Sequence, residues 1–506
     1  MDRKLYLGKD AEFQRRADEV LNEISSGKGQ YYDADELADI ADYFAVNNMH
    51  EKMEKVVKYG LHLHPDNIDL RIQEAYMYLD FGQLEQAEEC LQKIAVSNRD
   101  TRQLEALLAY RQGDEEKADE ILDELVLDAG PEDTYSIVGL MLDLDKPDEA
   151  LEYLTDSDED PEHEFYLDNL ATCYRELGLT DLAIETLNKL IDKYPYQPNI
   201  WKVLGECYFD DQQYDKCIEA CDFALATDED YHPAILLKAL AFRQLGNPDK
   251  AISYAYRAYE LGGMPFLGFC YFEMSACYDS MQWEKAVSVF CKTMKYTFEN
   301  NIGPENNYVC VISTLAALSF LHLQKWDDAF KIAQLLIQEY PDSPELYLVM
   351  AVVKMQQGKK KEANKYWKQL YQCETLSIDL LREAHDLCIE FDHFDESYFV
   401  LQKMHEMEPE NQLVNLQLLM HCVMFDKKEL LEELLSSGAI KVSKEQLEKL
   451  VNLLKDKDSD PSQLGKVMAD VLRTICPELN GLQNFSDERI QELVKQLESK
   501  NKKKEE

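Results

Sequence analysis

Positive charge is what this 506-residue chain lacks most: 53 Lys and Arg stand against 98 Asp and Glu, a formal net charge of −45. A protein gains affinity for a duplex by setting Lys and Arg on its phosphates, so this balance makes nucleic acid and anionic membranes poor partners. Glycine and proline are sparse, at 19 and 15. No long Gly, Ser or Pro tract occurs, which argues against domains strung on flexible linkers. None of the 13 cysteines makes a C-x-x-C pair. Cys217 and Cys221, four apart on one helix face, read as buried free thiols in a reducing compartment. His405-Glu406 lacks the second histidine of a zincin motif, and Gly27-Lys28-Gly29 lacks the spacer and the Ser or Thr of a phosphate loop. No metal and no cofactor are expected. The opening Met1-Asp2-Arg3-Lys4 and the charged segment through Glu23 contain no apolar h-region, so a cytoplasmic protein is expected. The longest charge-free stretch runs from Asn306 to Gln324, and its apolar part, Tyr308 to Leu321, is shorter than the ~20 residues a bilayer requires.

What is present is a period. A small residue returns at Met53, Ala87, Ala118, Ala150, Ala183, Cys217, Ala251, Ala286, Ala329, Ala363, Ser397 and, with Leu substituting, Leu431; the steps are 34, 31, 32, 33, 34, 34, 35, 43, 34, 34 and 34 residues. Five residues before this anchor stands a glycine at Gly82, Gly113, Gly178, Gly246 and Gly358, where a first helix ends in a left-handed residue. Twelve residues after it stands a proline at Pro65, Pro195, Pro341 and Pro409, where a second helix stops. Repetition on this scale specifies stacked supersecondary units rather than a globular enzyme core.

The clearest copy, Trp201-x-x-Leu204-Gly205-x-x-Tyr208 followed by Cys217, Cys221 and Ala224, resembles the tetratricopeptide repeat (TPR) signature. Its neighbours keep register, since Leu167, Trp201 and Ile235 are equally spaced, as are Tyr174, Tyr208 and Phe242. The resemblance implies an all-α, right-handed helical-hairpin solenoid of eleven or twelve repeats over residues 31–436. A helical cap at 1–30, with a helix from about Asp10 to Ile24, precedes it. A helical segment at 437–506 follows, its helices opening near Ser443, Asp460-Pro461 and Ser486. The long step between Ala286 and Ala329 holds Glu299 to Asn307, a turn-rich run that lengthens a helix, bulges from one rim or lets the array bend between two subarrays.

In this family the first helices line a concave groove that receives an extended or helical peptide, and the activity is protein binding rather than catalysis. The residues used by carboxylate-clamp members are not matched: Asn169 fills one position, but Tyr135, Gly139, Asn199 and Val203 stand at the others. The groove positions of four successive first helices are instead apolar, namely Leu236, Leu240, Tyr271, Thr314, Leu318, Leu321, Leu348, Val352 and Met355. Helices apolar nearly all round must be covered on every side, either by a partner or by a tightly wound core, and the C-terminal segments Leu464 to Ile475 and Ile490 to Leu497 offer a cover from within the chain. Residues 114–164 carry 21 acidic and 2 basic side chains, a solvated face or a docking surface for a basic partner. The expected function is a non-enzymatic scaffold or adaptor that binds a protein or peptide partner, with a regulatory or peptide-sensing TPR protein as the alternative.

Overall fold

The computed structural model describes residues 11–46, 49–80, 82–94, 98–304 and 306–424, together with Lys449 and Asn452. Among the described residues there are 24 α-helices and no strand. Helix α1 (Ala11–Ser25) precedes a succession of helix pairs: α2 (Ala34–Val46) and α3 (His50–Leu63), α4 (Ile68–Asp80) and α5 (Leu84–Gln92), α6 (Arg99–Arg111) and α7 (Glu115–Leu127), α8 (Thr134–Asp143) and α9 (Pro147–Asp156). The succession continues through α10 (Glu164–Glu176) and α11 (Thr180–Lys193), α12 (Pro198–Asp210) and α13 (Tyr214–Thr227), α14 (His232–Gln244) and α15 (Pro248–Glu260), α16 (Phe266–Asp279) and α17 (Trp283–Asn300). It ends with α18 (Asn307–His322) and α19 (Trp326–Leu336), α20 (Pro344–Gln356) and α21 (Lys360–Leu370), α22 (Ile378–Glu390) and α23 (Phe394–Met407), and the lone α24 (Gln412–Met424). Packing divides the chain into two compact units, Met1–Leu315 and Ala316–Glu506, with the boundary inside α18. The expected C-terminal helices and the anchor at Leu431 lie outside the described residues.

Each pair is a hairpin because its crossing is built on the small anchor. All eleven described anchors, Met53 through Ser397, are 0–1% exposed. Ten of the turns that join first to second helix pass through a left-handed residue five positions before the anchor. Five of these are the glycines read from the sequence, with φ between 67° and 82°; the others are Asp145, Gln212, Met281, Gln324 and Asp392, with φ between 56° and 61°. The geometry of the turn is therefore constant while its glycine is not, since an L-residue occupies the same well at a cost.

The prolines have a second role that spacing did not reveal. Six residues after each of four prolines, a side chain donates to the proline carbonyl: Arg71 to Pro65 (Nη2, 2.9 Å), Trp201 to Pro195 (Nε1, 2.8 Å), Tyr347 to Pro341 (2.8 Å) and Asn415 to Pro409 (2.8 Å). The next first helix is thereby tied to the carbonyl left over as the preceding helix ends.

The long step before Ala329 is taken up mainly by helix. Helix α17 has 18 residues, against 14 in α11 and α13, and it ends on left-handed Asn301 (φ 54°). Within the first unit the array also meets itself across a long stretch of chain. A Cβ on Gly262 would lie 3.0 Å from Cε of Lys52, whose ammonium stands 3.7 Å from Asp18 and 5.5 Å from the Phe44 ring centre. The Gly27 to Gly29 triplet is packing: left-handed Gly27 ends α1, and a Cβ on Gly29 would stand 2.6 Å from the Tyr59 hydroxyl.

Candidate functional site

Fifteen residues before each anchor is a groove position of a first helix, and its burial varies along the array, from buried Ala38 and Ile72 to exposed Tyr271 and Arg382. In the first unit Leu236, Leu240 and Thr314 are half-buried and Tyr271 is 37% exposed. Beside Tyr271 the structure adds two residues that sequence reasoning missed, Tyr308 (39% exposed) and Val311 (41%). The rings of Tyr271 and Tyr308 have centroids 6.1 Å apart. Val311 sits eighteen residues before its anchor, a groove position of the same repeat, so the spacing held that signal; Tyr308 lies in the extension of α18 that no other described repeat possesses. Thr314 spends its hydroxyl proton on the Cys310 carbonyl, 3.0 Å away.

In the second unit Leu318, Leu321, Leu348, Val352 and Met355 are all buried. Met355 accepts a hydrogen bond from Trp367 Nε1 at its sulfur, 3.0 Å away. Leu318, Leu321, Leu348 and Val352 are core in this conformation, and Met355, though buried, borders a surface cleft. The physical reason is the one that made them conspicuous: α18 and α20 are apolar nearly all round, and most of the apolar side chains of α20 are buried. In the first unit the row thus comprises exposed Tyr271, Tyr308 and Val311 with half-buried Leu236, Leu240 and Thr314.

Charge on the neighbouring first helices is held in pairs. Glu206 of α12 receives both Arg175 of α10 and Lys202 of its own helix (2.6 Å), and Arg243 of α14 reaches Asp279 of α16 at 2.6 Å. Two of these bridges, from Arg175 and Arg243, join successive first helices, and together they engage basic side chains of the row. The acidic stretch has less compensation. Its ion pairs engage Asp119 and Glu149 with Lys146, Glu124 with Arg102, Asp133 with Arg99 and Glu162 with Lys193. Most of the 21 carboxylates thus face a field of their own sign.

Two surface clefts are crossed by salt bridges. One of about 300 Å³ in the first unit lies among Asp249, Glu273, Lys285 and Lys292, with Lys285 to Asp249 at 3.5 Å and Lys292 to Glu273 at 2.9 Å. One of about 350 Å³ in the second unit is bordered by Met355, Gly358, Lys360, His393 and Glu396, with Lys360 to Glu396 at 3.5 Å. The described cysteines are free thiols; Cys217 and Cys221 are buried as expected, and contact with Cys217 and burial both push the Cys221 thiol upward, which keeps it protonated and inert. Among the described residues no group of His, Cys, Asp and Glu is arranged to hold a metal ion, and no helix is long and apolar enough to cross a membrane.

Three segments match models of the tetratricopeptide repeat. Residues 166–195 and 315–343 match one model and 232–261 another. The segments fall on the pairs α10 and α11, α18 and α19, and α14 and α15, in phase with the anchors Ala183, Ala329 and Ala251. The chain is a tetratricopeptide repeat protein. Among solved structures it is similar to yeast Tom70 (16% identity, 86% of this chain and 99% of that one, TM-score 0.39). It is also similar to the C-terminal part of a TPR repeat-containing protein of Cytophaga hutchinsonii (16%, 50% and 98%, 0.37) and to a thermophilic TPR protein of Thermus thermophilus (18%, 45% and 100%, 0.26). No curated protein sequence matches the chain.

Proposed function

We propose that this protein is a non-enzymatic, cytoplasmic interaction scaffold that holds an extended or helical segment of a protein partner against the first-helix row of its N-terminal unit. The observation that carries this reading is the exposed cluster of Tyr271, Tyr308 and Val311, continued by half-buried Leu236 and Leu240. Aromatic side chains kept at the surface on a rigid scaffold are the residues that dominate binding energy, because they bring large area at small entropic cost. Charged neighbours of the cluster are already bridged to one another, so a partner meets apolar surface framed by satisfied polar groups.

The test compares proteins retained from native cytosol by the wild-type chain with those retained by Leu240→Asp and Tyr271→Asp. Loss of the same partner from both variants, with the helical content and melting unchanged, supports the groove. Retention of every partner by both variants rules it out.

A further inference from the structure

Tyr135, His163 and Phe165 form a second aromatic group, one that lies in the acidic stretch. Tyr135 belongs to α8, fifteen residues before Ala150, and Phe165 to α10, eighteen residues before Ala183, so both stand at groove positions of adjacent repeats. His163 caps α10, its Nδ1 accepting from the Phe165 N–H at 3.3 Å. The three rings are in mutual contact: Phe165 meets Tyr135 at 5.9 Å and 63°, and His163 at 5.3 Å and 54°, while Tyr135 and His163 are nearly parallel at 6.4 Å and 16°. His163 is exposed and the other two are half-buried, so part of each ring reaches solvent.

Carboxylates surround this wall. The Tyr135 hydroxyl donates to Glu159 Oε2 at 2.8 Å. Burial, that bond and the charges of Glu159 and Asp160 all raise the tyrosine above its ordinary range, so its ring faces a negative potential. A cleft of about 40 Å³ is bordered by Phe165 itself, together with Glu164, Asp168, Gln197 and Asn199. The Gln197 Oε1 is buried with no hydrogen-bond partner among the described residues. A buried acceptor left unpaired is unfavourable and is relieved by any N–H donor that reaches it.

We infer that this wall seats an arginine side chain of the partner segment. The inference rests on the groove reading and names the chemistry of one end of the occupant. An anion is repelled, and an aliphatic side chain leaves the carboxylates and the amide oxygen unanswered. A guanidinium answers all three features. It is flat and weakly hydrated, so it stacks on ring faces; it bears a permanent charge for the carboxylates; and it carries five N–H donors in a fork. A lysine ammonium supplies charge and donors but has no flat face to stack on the rings and is more strongly hydrated. The row then presents an acidic aromatic seat on α8 and α10 and an apolar seat on α14 to α18, which fits a segment with an arginine near one end and apolar residues toward the other.

The test uses fluorescence anisotropy of the full-length chain with three labelled peptides of one sequence, bearing arginine, lysine or the neutral isostere citrulline. Tyr135→Leu and Phe165→Leu keep apolar bulk and remove the ring faces. Glu115→Gln with Glu116→Gln lowers the charge on exposed α7 and serves as the electrostatic control. The inference expects the arginine peptide to bind tightest and citrulline to bind weakest. It expects each ring variant to lose about tenfold in affinity for arginine, the size of a partly desolvated cation–π contact, while the α7 control loses little. Equal binding of the arginine and lysine peptides, with the ring variants indistinguishable from wild type, overturns it. A melting curve shows whether each ring variant is folded. Should either fail to fold, Tyr135→Phe decides: it keeps the ring and loses the bond to Glu159, and arginine selectivity must survive it. The groove reading fails separately, when Leu240→Asp and Tyr271→Asp retain every partner while the peptide selectivity persists.

Discussion

Replacing the non-glycine residues of the left-handed turns by glycine should stabilise the array. Gln212 and Met281 occupy φ 59° and 57° in turns whose counterparts elsewhere are glycine, and Met281 is 73% exposed, so its side chain contributes little packing. An L-residue in this well costs about 1–2 kcal/mol. Glycine gives back roughly 0.5–1 kcal/mol through the greater freedom of its unfolded chain. The net gain expected for Gln212→Gly or Met281→Gly is thus about 0.5–1 kcal/mol each. The two sites are separated by a full repeat pair, so the double variant should approach the sum. The reverse change isolates the backbone term: at Gly246 (φ 67°) an added Cβ would meet nothing within 4 Å, and Gly246→Ala should cost about 1 kcal/mol. Urea denaturation followed by helical circular dichroism measures all four proteins, with the curve fitted as an array because repeat units need not unfold together. Both glycine variants less stable than wild type, with Gly246→Ala neutral, would refute the reasoning.

Other perturbations follow from the packing. Ala251→Leu inserts bulk at a crossing where the anchor is 0% exposed, and denaturation should show a loss of about 1–3 kcal/mol. Trp201→Phe keeps a ring against Phe223, at a centroid distance of 4.6 Å, but removes the donor to the Pro195 carbonyl; the same assay should show about 0.5–1.5 kcal/mol lost. In the second unit His385 is held at about 4, through burial first and then the neighbouring His421, against 6.5 when unfolded. The unfolded chain therefore takes up this proton first, so stability is full above pH 6.5 and falls as the pH drops from there toward 4. Hydrogen exchange of α22 and α23 should accelerate across that interval, and His385→Asn should flatten the dependence.

The repeat was legible because its three signals are local: a crossing that admits only a small residue, a turn that favours glycine, and a helix end that favours proline. Each anchor through Ser397 is buried where spacing placed it. The five turns without glycine were silent in the sequence, since Asp145 or Met281 carries no mark of a left-handed backbone. The apolar row was legible only in part. Residues apolar all round a helix reveal that it is covered but not by what, which is why Leu348 and Val352 of α20 are core while Tyr271 of α16 remains open. Contacts between distant repeats, such as Lys52 against Gly262, leave no periodic trace. The aromatic group around Phe165 was hidden for a similar reason: its members come from two helices and a cap, and only the fold brings their rings together.

The groove reading is tested most directly by photo-crosslinking. A benzophenone side chain is placed at Tyr271, on the exposed row of a first helix, or at Phe223, exposed on the second helix α13. After irradiation in native cytosol, position 271 should yield a discrete partner adduct that Leu240→Asp abolishes, while position 223 should yield none. An adduct at 223 that persists in Leu240→Asp, with none at 271, contradicts the proposal that the first-helix row holds the partner.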